Sequence, residues 1–438
     1  MFHINADRAV GVLCVLLSIA LGFAATVARS QDSTTPLTID EAISIGLAAA
    51  PEIRSSEAIV EGDESSLDGA GRLPVPELVA TLDNVPVSGD EKFSLTDDFM
   101  TMQRIGLMQT FPNRQKRQLQ RERAARETDL ARAQLRSTRF TVARTVADAW
   151  ISRALAEQSL TRLQQLKPEV ATQAAAANAA VASGRASIAD ALRVQALDAR
   201  IEERLLAFEQ EAQIRKSELG RWIGDAAERP LAGIPADREL AHSAEALVAA
   251  VPEHAPIAPL AAQVAASQTD AELAQAEKRP DWSAELAFAN RGPDFSDMVS
   301  LEFRIGLPVL SRRRVNPEIA RQVSVVRARE QELEGEVRMH KAEIQATVAS
   351  LDLGRRRLDL YEQQLLPLAR DRSRLAADSY RAGRGSLLGT FEAFAEEIDE
   401  QLAYVQLQGE VARAWAFLHL LHDSAATTAL NSKSEPAT

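Results

Sequence analysis

Two pairs of segments along the chain alternate apolar and polar residues with a period of two. Between positions 281 and 290 the even positions are apolar, and between 298 and 309 the odd positions are apolar while charged residues occupy the other face. A period of two predicts β-strands with one apolar face. The residues expected on that face include Trp282, Leu286, Phe288, Leu301, Phe303 and Ile305.

The first half of the chain shows the same pattern more weakly. Leu78 and Leu82 share one face, and in the segment 100–111 the apolar Ile105 and Leu107 share a face with polar residues. Segments rich in Pro, Gly, Asp and Ser separate the two strands of each pair and predict loops. The chain is therefore expected to contain four strands, as two hairpins.

A long helical segment follows each second strand. From 112 to 184 the only strong helix breaker is Pro168, and at ~1.5 Å per residue a helix of this length is on the order of 100 Å long. Gly184 and Gly383 are expected to end the long helices in tight turns, from which other helices return. We therefore predict two long antiparallel helical hairpins.

In the second hairpin, apolar residues recur with the heptad spacing of a coiled-coil seam. The expected seam positions are Leu351, Leu358, Tyr361, Leu365, Leu368 and Leu375. Near the start of the chain, a helix is expected to begin after Thr38, whose hydroxyl can cap it, and to run toward Gly71.

The chain contains the same unit twice. An Arg-Ile-Gly-Leu motif at 104–107 recurs at 304–307, and landmarks on both sides recur at a similar offset of about 200 residues. The predicted units are residues 37–228 and 236–423, each with a helix, two strands and a helical hairpin. A loose tail is expected at 424–438, where no periodic apolar face continues.

The first 28 residues have the features of a secretory signal. Arg8 precedes an apolar run from Ala9 to Ala25, and cleavage is expected near Ala28. A retained membrane anchor is the alternative, although the run is at the short end of the ~17 to 25 residues that a spanning helix needs. The only cysteine, Cys14, lies in this segment, so the mature chain is expected to have no disulfide.

The net charge and the motifs of the chain argue against several classes of function. A net charge of −12 argues against nucleic acid as a partner, because nucleic-acid binding needs a basic face. The sequence has no phosphate-binding loop, zinc-ligand spacing or nucleophile arrangement, so we expect no enzyme activity, no cofactor and no metal site.

Two sets of residues have alternative interpretations as metal ligands. His419 and His422 could share a helix face as metal ligands, or they could have a packing role. Met100, Met102 and Met108 could be soft metal ligands or apolar filler in a strand.

The four strands could lie in a membrane or on a soluble core. Four strands cannot close a barrel, and an open sheet edge in lipid leaves peptide groups unpaired at a cost of several kcal/mol each. Membrane strands would therefore need several chains, and three chains would supply twelve strands. Ordinary hairpins on a soluble core are the alternative. If the apolar face meets lipid, Arg104, Glu302 and Arg304 point into a lumen, although cross-strand charge pairing explains them equally well.

Two copies of helix, strand pair and long helical hairpin behind a secretory signal resemble the TolC family of outer-membrane efflux ducts, over residues 37–422. The resemblance implies a mixed α/β membrane protein with tandem coiled-coil hairpins, four strands per chain in a shared twelve-stranded outer-membrane barrel, and a homotrimer whose helical barrel extends into the periplasm. It also implies a periplasmic adaptor, an inner-membrane efflux pump of the RND type and outer-membrane lipid as partners.

The resemblance extends to the turns of the hairpins, which are similar to the family's tips. An adaptor-docking role is implied for Gly184, Arg185, Gly383 and Arg384. A periplasmic gate is implied for Asp190 and Tyr380. Gly385 stands where the family often has a basic residue.

The segment 109–117 is similar to the strand-to-helix junction of the heavy-metal branch, where Phe-Pro leads to Gly-Lys-Arg, with Gln115 in place of that glycine. This similarity favours metal cations as cargo. A soluble periplasmic coiled-coil adaptor or scaffold is the alternative function, which explains the signal and the hairpins but not the amphipathic strands.

Overall fold

The computed structural model describes residues 35–184, 187–234, 239–240, 243–306 and 312–432. The expected secretory signal at 1–28 and the tip residue Arg185 lie outside the described residues. For Asp190 the structure describes the helical backbone but not the side chain.

The described chain begins with two helices, α1 (Ile39–Ala49) and α2 (Pro51–Leu67). The Thr38 hydroxyl accepts a hydrogen bond from a first-turn amide at 3.2 Å, so the predicted N-cap is present. The expectation of one continuous helix toward Gly71 is wrong. Ala50 has an extended backbone, with φ −61° and ψ 121°, because the residue before a proline avoids the helical region.

The four strands are β1 (Glu77–Asp83), β2 (Met102–Phe111), β3 (Trp282–Asn290) and β4 (Met298–Ile305). They form one antiparallel sheet in the order β1-β2-β3-β4, which confirms the predicted strands. The two repeats meet between β2 and β3, where Ile105 lies opposite Phe288. Among the described residues, β1 and β4 each keep one edge without a strand partner.

The first helical hairpin follows β2. Helix α3 (Arg114–Ala182) continues over 69 residues, including Pro168, and is about 100 Å long at 1.5 Å per residue. Helix α4 (Ile188–Ile223) packs back along it and leads into a 3₁₀ turn at Gly224–Glu228. The first predicted hairpin is therefore confirmed.

The second repeat has the same order of elements. Before its strands lie α5 (Ala244–Ala249), a 3₁₀ turn at Val251–Glu253 and α6 (Ala258–Ala276). After its strands come α7 (Arg312–Leu360), a π-helical turn at Tyr361–Leu365, α8 (Leu366–Arg381) and α9 (Leu387–Ser432). The boundaries of the two units at 37–228 and 236–423 stay predictions.

The end of α9 corrects one prediction. The helix continues to Ser432, so the loose tail expected from residue 424 is wrong for residues 424–432, and residues 433–438 lie outside the described chain. A helix that has already nucleated adds residues at little cost, and the alanines at 425, 426 and 429 favour its continuation without any apolar periodicity.

The π-helical turn Tyr361–Leu365 changes which leucines are buried. Leu351 and Leu358 before it are 0% and 6% exposed, whereas Leu368 and Leu375 after it are 63% and 60% exposed. A π turn holds an extra residue and rotates the following helix about its axis. The expectation of one seam running through Leu375 is therefore wrong within this chain, because after the π turn the sheltered face of the helix shifts to other positions, among them Ala377, which is 5% exposed.

The largest core cluster contains residues of both repeats. Trp150 of α3, Leu219 of α4, Ile344 of α7 and Leu407 of α9 are each at most 2% exposed. The Trp150 indole donates a hydrogen bond to the Leu37 carbonyl oxygen at 3.1 Å, which holds the start of the first repeat against this core. The two hairpins therefore share one core and pack as a single unit.

Candidate channel wall and helical tips

One face of the sheet exposes a continuous apolar surface. Leu78, Leu107, Leu286 and Leu301 lie opposite one another across the four strands, and they are between 55% and 73% exposed. The other residues predicted on this face, Trp282, Phe288, Phe303 and Ile305, are exposed as well. An apolar surface of this extent marks contact with lipid or with another apolar surface.

The opposite face carries a row of charged side chains. Arg104 and Arg304 both pair with Glu285, at 3.1 Å and 3.2 Å. Arg304 also pairs with Glu302 at 2.7 Å, and Arg104 lies 3.7 Å from Asp83. The cross-strand charge pairing that the sequence left open is therefore present, and the three predicted residues share the face opposite the apolar one.

Glu285 is the residue of this face that sequence reasoning did not single out. Its side chain is 3% exposed and lies over Gly106, where a Cβ would come 2.9 Å from Glu285 Oε1. The alternation of β3 placed Glu285 on the polar face, but nothing local predicts its partner. Arg104 belongs to the other repeat, and only the pairing of β2 with β3 brings the two together.

Both hairpin tips turn at a glycine with a left-handed backbone. Gly184 and Gly383 each have a φ of +71°, a conformation that residues with a side chain adopt only at a cost of ~1 kcal/mol or more. At the second tip, the Gly383 amide donates to the Tyr380 carbonyl oxygen and the Arg384 amide to the Ser379 carbonyl oxygen, both at 2.9 Å. This pair of bonds is the Schellman arrangement that ends a helix.

Gly385, which departs from the family's usual basic residue, lies close to the backbone of the preceding helix. A Cβ at this position would lie 3.0 Å from the Tyr380 amide nitrogen and 3.2 Å from the Ser379 carbonyl carbon. Backbone atoms cannot rotate away as the end of a flexible side chain can. A basic residue therefore does not fit this turn unless the turn itself moves.

The predicted gate residue Tyr380 is half-buried against a small cluster formed by Val194, Leu387 and Phe391. Val194 belongs to α4 of the first hairpin, so this cluster joins the two tips. Asp190 lies one helical turn before Val194. The structure therefore places the backbones of both predicted gate residues at the same end of the hairpins.

The strand-to-helix junction at 109–117 connects the two repeats. The Asn113 side chain caps α3 by accepting a hydrogen bond from the Gln115 amide at 2.9 Å. Lys116 Nζ then pairs with Glu277 at 2.8 Å and with Asp281 at 3.2 Å, both in the second repeat. Gln115 therefore lies in the first turn of a helix, where a side chain is accommodated.

A buried histidine pair in the second repeat was not predicted. His254 and His340 are 0% and 4% exposed, and His254 Nδ1 lies 3.2 Å from His340 Nε2. His340 Nδ1 lies in turn 3.1 Å from Glu343 Oε2. Burial, and secondly the neighbouring His340, lower the pKa of His254 from 6.5 to about 4. His254 is therefore uncharged at neutral pH.

The other candidate chemistry stays unsupported. The His419 ring stacks on Trp415 with a centroid distance of 4.8 Å, and the His422 side chain is not described. Within the described ranges, no three His, Cys, Asp or Glu side chains are grouped so as to hold a metal ion. The helices of the described chain include none that is long and apolar enough to cross a membrane.

The helical hairpins and the four-stranded antiparallel sheet of this chain have the fold of solved outer-membrane channel proteins. The outer-membrane channel OprN is 16% identical, with a TM-score of 0.73 over 87% of this chain and 89% of that chain. The outer membrane protein VceC of Vibrio cholerae is 19% identical, with a TM-score of 0.72 over 88% of this chain and 95% of that chain. CusC is 13% identical, with a TM-score of 0.74 over 88% of this chain and 91% of that chain. At these identities the matches show the fold.

A sequence comparison agrees with this fold. Residues 42–225 match the model of the outer membrane efflux protein family. The second repeat extends the family's fold over the rest of the described chain, so the resemblance to TolC-like proteins is confirmed. No curated protein sequence matches the chain. Proteins of this family are outer-membrane channels with a helical periplasmic portion, and the expected function and location are those of the family.

Proposed function

We propose that three copies of this chain form the exit duct of a tripartite efflux system in the outer membrane. Channels of the family are homotrimers that work with periplasmic adaptors and inner-membrane pumps. The sheet carries the proposal, because it has one exposed apolar face, one charged face and two open edges. Three such sheets joined edge to edge make a twelve-stranded barrel with the apolar face toward lipid and the charged face toward a lumen.

The open edges favour this arrangement over the soluble alternative. In lipid each unpaired peptide group costs several kcal/mol, and pairing with neighbouring chains removes that cost. A soluble periplasmic adaptor or scaffold would instead leave the apolar face and two strand edges in water, and such surfaces promote aggregation. The duct function therefore accounts for both the apolar face and the two open strand edges.

Substitutions on the two faces of β4 test the duct. Leu301→Arg should prevent stable trimers, because a charge on the lipid side near the middle of the membrane costs ~2 to 4 kcal/mol in each protomer. The matched control Glu302→Gln changes the next residue, on the opposite face, and should assemble as the wild type does. Assembly is measured by light scattering of detergent extracts from the outer-membrane fraction.

Two results would count against the duct. Equal assembly of Leu301→Arg and Glu302→Gln would contradict the assignment of the two faces. Recovery of the wild-type protein from the soluble periplasm without detergent would refute the membrane location, and would favour the adaptor or scaffold function instead.

The helical tips are proposed as the surface on which a periplasmic adaptor docks, with a pump of the RND type behind it. The proposed docking residues are Gly184, Arg185, Gly383 and Arg384. Gly383→Val should leave folded trimers that no longer support export, because a β-branched residue does not adopt the left-handed turn at this tip. Normal export by this variant in cells would exclude docking at the second tip.

Tyr380 and Asp190 are proposed to hold the tips closed at rest. The support is that Tyr380 packs against the cluster of Val194, Leu387 and Phe391, and that Asp190 lies one helical turn before Val194. Replacing both proposed gate residues with alanine should raise the resting conductance of purified trimers in planar bilayers while export continues. An unchanged conductance would rule out this gate.

Metal cations are the proposed cargo, on the similarity of segment 109–117 to the heavy-metal branch. The duct only opens a path, so the cargo is set by the pump that feeds it, and a passive path needs no catalytic residue. A deletion strain should become sensitive to metal salts. Sensitivity to organic drugs alone would contradict the metal cargo without affecting the duct.

A further inference from the structure

Four arginines lie at the end of the sheet where the strands of the first repeat join its helices. Arg114, Arg117 and Arg121 occupy positions i, i+3 and i+7 at the start of α3, so they share one face of that helix. Arg72 lies in the segment between α2 and β1. These four residues form the basic cluster. Side chains on a helix lean toward its N-terminus, so those of α3 lean toward the sheet.

Two of these arginines hold the turn between α2 and β1. Arg117 Nε donates a hydrogen bond to the Gly71 carbonyl oxygen at 3.0 Å. Arg121 Nε donates to the preceding carbonyl oxygen, that of Ala70, at 3.3 Å. Because the two acceptors are adjacent along the chain, the two guanidinium groups lie close together beside Arg72. Within the described chain each contact uses Nε alone, so the terminal nitrogen atoms can still bind an anion.

The described chain does not neutralise the basic cluster. Lys116 in the same helical turn pairs with Glu277 and Asp281, whereas none of the four arginines has a carboxylate within 4.0 Å among the described residues. The first turn of α3 has no acidic residue, and the helix dipole disfavours cations there. The basic cluster therefore does not stabilise the protomer electrostatically, and its charge indicates an anionic partner.

A groove with apolar and charged walls adjoins the basic cluster. It has a volume of about 510 Å³, and its lining includes Arg72, Leu73, Val75, Pro112, Arg123 and Glu127. Leu73 and Val75 are exposed and come directly before β1, whose apolar face is proposed to meet lipid. Exposed apolar residues beside unpaired cations fit a molecule that has both an acyl chain and an anionic group.

An aromatic pair lies at the same end of the sheet. The rings of Phe111 and Trp282 stack with a centroid distance of 4.1 Å, where β2 ends and β3 begins. Aromatic residues are enriched at the two membrane–water interfaces of outer-membrane barrels. Arg114 comes three residues after Phe111, so it lies within ~10 Å of it along the chain. The basic cluster is therefore at the level expected for lipid head groups.

The opposite ends of the strands carry the opposite charge. The loop between β1 and β2 contains Asp90, Glu91, Asp97 and Asp98 but only one cation, Lys92. The basic cluster is thus not repeated at the other boundary of the sheet, and an anionic head group is favoured at the helical end.

We propose that the basic cluster binds the phosphate of an anionic phospholipid in the leaflet next to the helices, with Leu73 and Val75 against the acyl chains. The proposal rests on the outer-membrane duct. Arginine binds phosphate through paired donors, and a phospholipid supplies the phosphate and the acyl chains together. An acidic protein surface would pair with the arginines but would leave the exposed apolar residues uncovered.

Lipid binding by the full-length wild type is the first test. Trimers purified in detergent are titrated with phosphatidylglycerol or with phosphatidylethanolamine, and bound lipid is counted by native mass spectrometry. Phosphatidylglycerol has a net negative charge and should bind at least ~fivefold more tightly; equal affinities would overturn the proposal. Excess inorganic phosphate should leave phosphatidylglycerol bound, and its complete displacement would show an anion site only and overturn the lipid.

Arg72→Gln combined with Arg114→Gln tests the residues, because neither side chain holds the turn. The double variant should bind phosphatidylglycerol at least ~fivefold more weakly than the wild type. The matched control is Arg356→Gln with Arg370→Gln, which removes two exposed cations of α7 and α8 far from the sheet and should bind as the wild type does. Equal affinity of the two double variants would overturn the basic cluster as the site.

Val75→Asn tests the acyl contact without changing the charge. Val75 is 83% exposed, so the fold should tolerate the change, while the affinity for phosphatidylglycerol should fall at least ~threefold. The control Val87→Asn changes an exposed valine in the β1–β2 loop and should have no effect. Unchanged binding by Val75→Asn would overturn the acyl contact.

Cell fractionation separates this proposal from the duct. A trimer recovered from the outer membrane whose affinity for phosphatidylglycerol is unchanged by these substitutions would overturn the lipid site alone. Recovery of the wild type from the soluble periplasm would overturn the duct and the lipid site with it.

Discussion

Acidification from pH 7.5 to 5 should destabilise this protein through His254. In the folded chain, burial and the adjacent His340 lower the pKa of His254 to about 4, whereas in the unfolded chain the pKa of a histidine is ~6.5. Below pH 6.5 the unfolded chain therefore binds a proton that the folded chain does not. The free energy of unfolding should be greatest above pH 6.5, fall between pH 6.5 and 4, and level off below pH 4.

The magnitude follows from the separation of the two pKa values. Each pKa unit corresponds to ~1.4 kcal/mol, so the change from 6.5 to about 4 amounts to about 3 kcal/mol per protomer in full. By pH 5 about 2 kcal/mol of this is lost. Solvent does not screen this effect on stability, because His254 is 0% exposed.

The assay compares the wild type with His254→Gln in denaturant unfolding at pH 7.5 and pH 5. Glutamine removes the titration while its amide can still hydrogen-bond to His340. The pH-dependent loss of unfolding free energy should be about 2 kcal/mol smaller in this variant. If His254→Gln loses as much stability on acidification as the wild type, the reasoning from a buried neutral histidine is wrong.

Three further changes test the packing. Gly409→Val should lower the unfolding free energy by ~1 to 3 kcal/mol, because its side chain would overlap the buried Leu155, and Gly233→Val, with open space around it, should not. Gly385→Ala should reduce export but not trimer yield, since its Cβ would press on the backbone of the preceding helix; full export would contradict a tight tip. Arg229→Met removes the part-buried hydrogen bonds of Arg229 to Thr35 and Glu41 and should speed hydrogen exchange over residues 35–41; unchanged exchange would contradict a role of Arg229 in anchoring this segment.

Local sequence patterns were sufficient to predict the strands, the long helices and the turns between those helices. Periods of two and heptad spacings depend only on neighbouring residues, so the strands and the long helices could be read from the sequence. Glycine and proline act through their own backbone, which made the turns at Gly184 and Gly383 predictable. The break at Ala50 had an equally local signal in Pro51, which the helical interpretation overlooked. The repeat set the order of the elements, because equivalent motifs fold into equivalent parts.

Tertiary structure decided which of these residues meet. Glu285 could be placed on a face from its strand, but its contact with Arg104 depends on how the two repeats pair. The π turn that exposes Leu368 is a property of the packed helix, since the leucine spacing runs through it without interruption. His254 was an unremarked residue in the sequence, and it acquires its lowered pKa only where folding buries it against His340. Burial and contacts across long sequence separations depend on the whole chain at once, and no local pattern contains them.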